Sequence, residues 1–405
     1  MSHTSEGRRR KLILAACCAT HGVQDGLTAS IYILLPILAQ AFGLSFAQVG
    51  LVRAAHSGAM GLLELPSGML SERFGQRRLL AFGLLCAGTG YLMVSMAGGF
   101  PGLLIGLCIA GGGAAFQHAL ASSLVSGAFA GPLRRTALGA YNSSGDTGKL
   151  LFSGFLTTLL GAGVAWPHVA AGYGSIAIVA AVALFLLLRA LRVGAPDAAT
   201  DSRSPLRGGD WGIRHRRGFA TLAVIVLLDL AVQDAFLVFI AFLMVHKQVP
   251  VGLAGFAVVL TLAGGIAGKF GCGLLAARLG PVRALVAVEI VSAAAILAVL
   301  AAPAMVAFCL LPLAGVVLQG SSSITYGTVG DLVDERRQSR GFALVYTLSS
   351  VAAITGPVTF GLVSDGFGLE TAMVSMAVVV ALPALLAPLL RGPLHEVRLR
   401  EARAA

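Results

Sequence analysis

Apolar stretches of roughly 17 residues or more, enough to cross about 30 Å of hydrocarbon, recur along almost the whole chain. Short polar segments, most of them basic, separate them. The two-residue alternation of a membrane barrel is absent, so the spans read as helices, which satisfy every backbone hydrogen bond internally. The pattern predicts twelve, at about 12–41, 46–71, 78–98, 101–130, 136–163, 168–190, 218–246, 250–277, 282–302, 303–330, 338–363 and 370–390.

Composition agrees. The 405 residues are 57% hydrophobic and 12% charged, with mean hydropathy +0.87. Soluble domains carry about twice that share of charge. The net charge of +11 invites a nucleic-acid reading, which its distribution opposes. Arg8 to Lys11, Arg73, Arg77, Arg78, Arg134, Arg135, Arg192, Arg203, Arg207, Arg214, Arg216, Arg217, Arg278, Arg283, Arg336, Arg337, Arg340 and the tail arginines all fall on one side of a twelve-helix topology. Lys247 alone falls opposite. Such asymmetry places both termini in the cytoplasm, here of a bacterial inner membrane, with lipid and not nucleic acid as partner. The six cysteines lie within predicted helices without metal-ligand spacing and read as small packing residues. Leu14-Ala15-Ala16-Cys17 imitates a lipoprotein cleavage site, but the preceding apolar stretch is too short for a signal.

The least hydrophobic interior stretch, 192–217, reads as a cytoplasmic linker with a short surface helix around Trp211. It separates a six-helix bundle at 1–191 from a second at 218–391, with a cytoplasmic tail at 392–405. The halves repeat. Val23-Gln24-Asp25 recurs as Val232-Gln233-Asp234, Gly68 to Leu80 recurs as Gly273 to Leu285, and Gln117 and Tyr141 have counterparts in Gln319 and Tyr346. Parallel six-helix repeats are an architecture of secondary transporters, with the site between the halves near the midplane.

Gly68, Glu72, Arg73, Gly75, Arg77 and Arg78 resemble the signature loop of the major facilitator superfamily, with Glu72 where Asp is usual. The resemblance implies an all-α membrane fold of twelve helices in two pseudo-symmetric bundles, and a cytoplasmic latch between the halves formed by these residues. The second copy carries Ala277 in place of the acid, so only the first loop is expected to latch. Residues 21–75 are similar in spacing to the fosmidomycin-resistance family through His21, Asp25, Pro36, Phe42, Leu44, Gln48, Gly50, Pro66, Gly68 and Gly75. Gly111 to His118 resembles the same family's helix-4 segment, although its His-Pro-Glu is His118-Ala119-Leu120 here. That family exports a small phosphonate antibiotic and related compounds.

An ionisable side chain in hydrocarbon needs a partner or a wet cavity. Asp25, with His21 one turn away, and its repeat partner Asp234 are candidate proton carriers, because burial disfavours an ionised carboxylate. Asp229 is expected nearer the cytoplasmic end, and Glu289 in a peripheral pair or at the interface. Arg53 and His56, at i,i+3, offer a forked donor for phosphonate or carboxylate, or Arg53 pairs with Asp25 or Asp234 or snorkels outward. Gln24, Gln117, His118, Gln233, Gln319 and Tyr346 are candidate cavity-lining groups. Asp146 and Lys149 form a self-neutralising i,i+3 pair, with a substrate role as the other reading. Glu64 and Lys269, at equivalent repeat positions, are candidates for an inter-half contact.

No phosphate loop, nucleophile triad or metal cluster is discernible, and Gly148-Lys149 lacks the upstream glycine of a P-loop. The expectation is a cofactor-free, metal-free, non-enzymatic and monomeric secondary transporter. Proton-coupled efflux of a small organic anion or amphiphilic drug-like compound, by alternating access, leads. Proton-coupled uptake of an organic anion stays open, since the helix-5 glycine–proline signature common in antiporters is absent. A non-transporting sensor or assembly partner on the same fold is the reading from another class.

Overall fold

A computed structural model describes residues 3–129, 132–195, 212–334 and 338–404. Apart from one bridge between Ile213 and Val333, regular structure there is helical. The chain divides into two compact units, Met1–Leu44 with Val52–Arg203, and Ser45–Leu51 with Ser204–Ala405. Most of the expected linker, including Trp211, lies outside the described residues, as do Arg336 and Arg337.

The first unit contains α1 (His3–Phe42), most of α2 (Phe46–Phe74), α3 (Gln76–Ser95), α4 (Phe100–Ala114), α5 (His118–Ala128), α6 (Pro132–Gly161) and α7 (Trp166–Ala190). The second contains α8 (Arg216–His246), α9 (Val251–Ala254), α10 (Phe256–Leu279), α11 (Pro281–Ala301), α12 (Ala304–Leu332), α13 (Gln338–Phe367), α14 (Leu369–Leu386), a 3-10 turn (Ala387–Leu390) and α15 (Arg391–Ala404). Among the described residues, ten helical segments are long and apolar enough to cross a membrane, counting α4 with α5, α9 with α10, and α14 with the 3-10 turn and the start of α15 as single segments. The other two long helices, α2 and α6, have 29 and 30 residues and carry Arg53, His56 and Glu64, and Asp146 and Lys149. Their polarity marks them as the helices on which to look for a site.

The predicted span at 101–130 is not continuous. Ala115, Phe116 and Gln117 sit in a tightened turn, where Phe116 N donates to Gly113 O and Gln117 N to Ala114 O. The cause is the glycine run before it. A Cβ on Gly111 would lie 2.0 Å from His56 O, and one on Gly113 would lie 2.3 Å from Gly83 O. Close backbone packing therefore requires glycines, and glycines hold a helix weakly. Gln117 and His118 are left at the start of a new helix.

Backbone conformation repeats as the sequence does. Gly43 and Gln248, Gly75 and Gly280, and Gly163 and Gly368 are each 205 residues apart, and all have positive φ. The same left-handed turns thus follow corresponding helices in both halves.

Leu80, Leu84, Leu120, Leu124 and Leu184 build one core, and Leu222, Val226, Leu285, Ile324 and Leu390 the other. Leu62, Leu151, Val179, Leu274, Leu313 and Leu385 point outward, an apolar exterior suited to acyl chains. Lys247 Nζ donates to Leu300 O and Ala302 O at 2.7 and 2.6 Å, a cation placed on the carbonyl end of α11. Within the second unit, Asp365 accepts from Phe46 N and Ala47 N at 2.7 and 2.8 Å, capping the first turn of α2.

Candidate functional site

Helices α1 and α6 approach closely because small residues face each other: a Cβ on Gly148 would lie 2.1 Å from Gly22 O. Gly145 makes similar room for side chains, since a Cβ there would sit 2.8 Å from Asp25 Oδ2 and 2.6 Å from the His21 ring. Into this space project His21 and Asp25 from α1, His118 from α5, and Asp146 and Lys149 from α6.

The Asp25 carboxylate is the hub. Lys149 Nζ lies 3.1 Å from its Oδ2, His21 Nε2 lies 3.5 Å from the same oxygen, and His118 Nε2 lies 3.7 Å from Oδ1. Lys149 also reaches Asp146 Oδ1 at 3.4 Å. The expected Asp146–Lys149 pair exists, but Lys149 is shared, and its nearer partner is Asp25. His21 stacks on Tyr141 with centroids 4.2 Å apart and meets His118 edge-on at 5.1 Å. Its Nδ1 lies 2.8 Å from Tyr141 O. A carbonyl only accepts, so Nδ1 carries a hydrogen and Nε2 is the atom left to exchange a proton with Asp25.

Exposure says where the cluster opens. The side chains of His21 and Asp25 are 5% and 10% exposed, against 38% for His118 and 33% for Lys149. Approach is therefore past His118 and Lys149, with Asp25 behind. His21, Asp25 and His118 bring three possible ligand atoms within 4.8 Å of one another. Lys149 already neutralises the one carboxylate of this set, at 3.1 Å from Asp25 Oδ2, so the donor set suits protons and hydrogen-bonding solutes better than a metal ion.

Arg53 has a different setting. Nη2 donates to Tyr32 OH at 2.7 Å, Nη1 donates to Ser57 Oγ and lies 3.5 Å from His56 Nδ1, and the guanidinium sits 4.7 Å from the Tyr32 ring centroid. The group is buried. Lysine could not fork and stack at once. Arg53→Lys is expected to lose about 1–2 kcal/mol of stability, with Tyr32→Phe sharing about 1 kcal/mol in a double-mutant cycle read by thermal unfolding. Additive effects of the two changes would refute the coupling.

Gln24 and Gln117 are buried, and Gln24 Oε1 and Gln117 Nε2 have no hydrogen-bond partner among the described residues. In the second unit, Gln233 Nε2 donates to Ser321 Oγ at 3.0 Å, and Ser321 Oγ donates to Asp229 Oδ2 at 2.8 Å. Asp234 is half-buried, facing Tyr326 electrostatically, and so differs from Asp25 despite the sequence repeat. Gln319 packs over Gly265, where a Cβ would lie 2.7 Å away. Tyr346 departs from its counterpart: Tyr141 is 1% exposed and Tyr346 is 52% exposed. Glu64 and Lys269 are each half-buried in their own units.

In the signature loop, Gly75 adopts φ 80°, Arg77 N donates to Gly194 O at 2.9 Å, and the Arg77 guanidinium lies over Phe185. Arg73 sits over Phe74, while Arg73 and Arg78 are exposed and Gly68 has open space at its Cβ position. The Glu72 side chain lies outside the described residues. Glu289, expected at the periphery, is fully buried, and so is Asp229. An acidic residue in an otherwise apolar helix was the signal for Glu289. Its neighbours on other helices were not legible.

Two bundles of long apolar helices, repeated in sequence and turn geometry and holding an ionisable cluster, define a multi-pass membrane transporter. The sequence profile of the Major Facilitator Superfamily matches residues 17–246 and 222–404, and the chain belongs to that family. Its members act on small-molecule substrates in the membrane, and the chain is a transporter rather than an enzyme. Among curated relatives, it is 25% identical over 115 residues to a fosmidomycin resistance protein of Escherichia coli (strain K12), covering 28% of each chain. It is 34% identical over 125 residues to a class G tetracycline resistance protein of Vibrio anguillarum, covering 30% of this chain and 32% of that one. Each match thus spans about a third or less of the relative's length. Among solved structures, a bacterial homolog of the human lysosomal transporter Spinster, inward-facing and unoccupied, has a TM-score of 0.82 at 17% identity, covering 96% of this chain and 98% of that one. The nucleoside transporter NupG has a TM-score of 0.74 at 14% identity, covering 93% and 98%. At these identities the two structures speak for the fold alone.

Proposed function

We propose that the chain is a proton-coupled exporter of a small amphiphilic or partly anionic drug-like compound, working as a monomer by alternating access. The inner membrane of a bacterium, with both termini cytoplasmic, is the expected setting, on the charge asymmetry of the loops. The carrying observation is Asp25 set against Lys149, His21 and His118. Local similarity to two resistance proteins supports efflux. In this reading Asp25 and His21 hold the proton, and the substrate competes with it. A solute that presents a donor or positive group to Asp25 displaces the proton, which is antiport.

Lys149 supports a second reading. A solute that presents an anion to Lys149 removes the counter-ion of Asp25, and Asp25 then takes a proton with the substrate. Proton and anion would travel together, as in uptake by symport. Substrate charge at this cluster therefore decides the sign of the coupling.

Proteoliposomes with a pH dye inside and the membrane potential clamped test both readings. An inward gradient of a phosphonate, an organic acid or a lipophilic drug is applied. Antiport makes the interior alkaline, symport makes it acidic, and Asp25→Asn abolishes either change. An unchanged interior with every compound, despite measurable binding, would favour a sensor and overturn the transport mechanism.

A further inference from the structure

Asp229 and Glu289 are both buried in the second unit, where Asp234, the candidate carrier read from the sequence repeat, lies five residues beyond Asp229 on the same helix. Asp229 is on α8, and Glu289 is on α11. Their side chains are within electrostatic reach of one another. Asp229 is 1% exposed and Glu289 0%. Asp229 Oδ2 accepts from Ser321, but Asp229 Oδ1 and both Glu289 oxygens have no hydrogen-bond partner among the described residues. Ser292 Oγ, three residues beyond Glu289 and so on the same helix face, is equally unpartnered and fully buried.

Among the described residues, the groups that act on the two carboxyls from neighbouring helices are uncharged. From α10 the titratable neighbour is Cys272, and from α12 it is Tyr326, with Ser321 beside it. Asp234 on α8 also faces Tyr326. Lys269, one turn before Cys272, touches neither carboxyl. On α13, Tyr346 packs on Tyr326, and Asp365 caps the first turn of α2. On α14, which packs against both α8 and α11, the sole ionisable group is Glu370, at its first turn and paired with His246. Two carboxylates in hydrocarbon, without a cation between them, repel each other and keep no hydration. Carboxyl groups so placed share protons rather than ionise together.

We infer that Asp229 and Glu289 form a proton-binding pair in the second unit, separate from the Asp25 cluster of the first. At least one proton sits on the pair, and Ser321 and Gln233 hold the Asp229 carboxyl in register. Ser292 Oγ offers a further exchange partner on the Glu289 face. Each half of the repeat then has its own titrating centre. The inference does not depend on the direction of transport or the identity of the solute.

Infrared spectroscopy of the purified full chain in lipid at neutral pH tests it. A buried protonated carboxyl gives a carbonyl band that shifts in heavy water. The wild-type protein is expected to show the band, Glu289→Gln to lose it, and Asp229→Asn to lose or shift it. Both amides keep the shape of a neutral acid, so both variants are expected to remain monodisperse on size-exclusion chromatography. A band indifferent to both substitutions would overturn the inference, as would misfolding of both variants. Titration with sodium chloride provides the remaining arm. A band removed by sodium in the wild-type protein would make this a sodium site and reject the proton assignment. Because the readout needs no substrate, failure here leaves the export reading intact, and failure of transport leaves this result intact.

Discussion

Replacing Asp25 by asparagine is expected to abolish proton-coupled flux and to cost the protein about 3 kcal/mol of stability. The two losses have different origins and can be separated. Asp25 is the nearer of the two carboxylates that hold the Lys149 ammonium, at 3.1 Å against 3.4 Å for Asp146. Removing one partner of a buried pair strands the other charge, and that penalty typically runs to about 3–5 kcal/mol. The lower end applies because the Lys149 side chain is 33% exposed and Asp146 remains. Adding Lys149→Met to Asp25→Asn removes the stranded charge, so thermal stability should return to within about 1 kcal/mol of wild type. Flux should not return, because the proton carrier is still missing. Thermal unfolding in detergent, paired with the internal-pH assay, reads both quantities. A double variant as unstable as the single one would mean that Asp25 matters through something other than Lys149. Coupled flux in the Asp25→Asn protein would remove Asp25 from the proton path altogether.

The fold was legible because a bilayer restricts what a chain can do. Span length, the one-sided arginines and the recurrence of Gly75 as Gly280 each constrain backbone, and the repeated positive-φ turns follow the same register. The candidate site was legible in its members more than in its grouping. Asp25, His21, His118, Asp146 and Lys149 were each conspicuous as ionisable residues in apolar helices. The meeting of Lys149 with Asp25 depends on how closely α1 and α6 approach, and so on Gly22 and Gly148 facing each other across two helices. Sequence spacing relates residues along one helix, which is why the i,i+3 partner Asp146 was visible and Asp25 was not. Glu289 was obscured for the same reason. A lone glutamate in an apolar helix can face lipid headgroups or the protein interior, and the tertiary rotation of α11 decides between them. Tyr346 illustrates the opposite hazard: it repeats Tyr141 in sequence, yet Tyr141 is buried and Tyr346 is exposed.

The glycine contact that brings α1 to α6 yields the second large effect. Gly148→Ala is expected to destabilise the protein by about 3 kcal/mol and to reduce flux to background, although it adds one methyl group and alanine is the better helix former. A Cβ at Gly148 would lie 2.1 Å from Gly22 O and 2.4 Å from Gly22 Cα. Both are backbone atoms of α1, so no side-chain rotation relieves the clash and the helices must separate. Separation draws Lys149, the next residue on α6, away from Asp25 and weakens the ion pair at the centre of the cluster. Gly154→Ala is the control on the same helix, where a Cβ meets nothing within 4 Å. That change should be neutral or stabilise by up to about 1 kcal/mol through helix propensity alone. Thermal unfolding of the two variants side by side distinguishes packing from propensity. If Gly148→Ala unfolds with Gly154→Ala rather than far below it, the α1–α6 contact is compliant, and the placement of Lys149 beside Asp25 needs another cause.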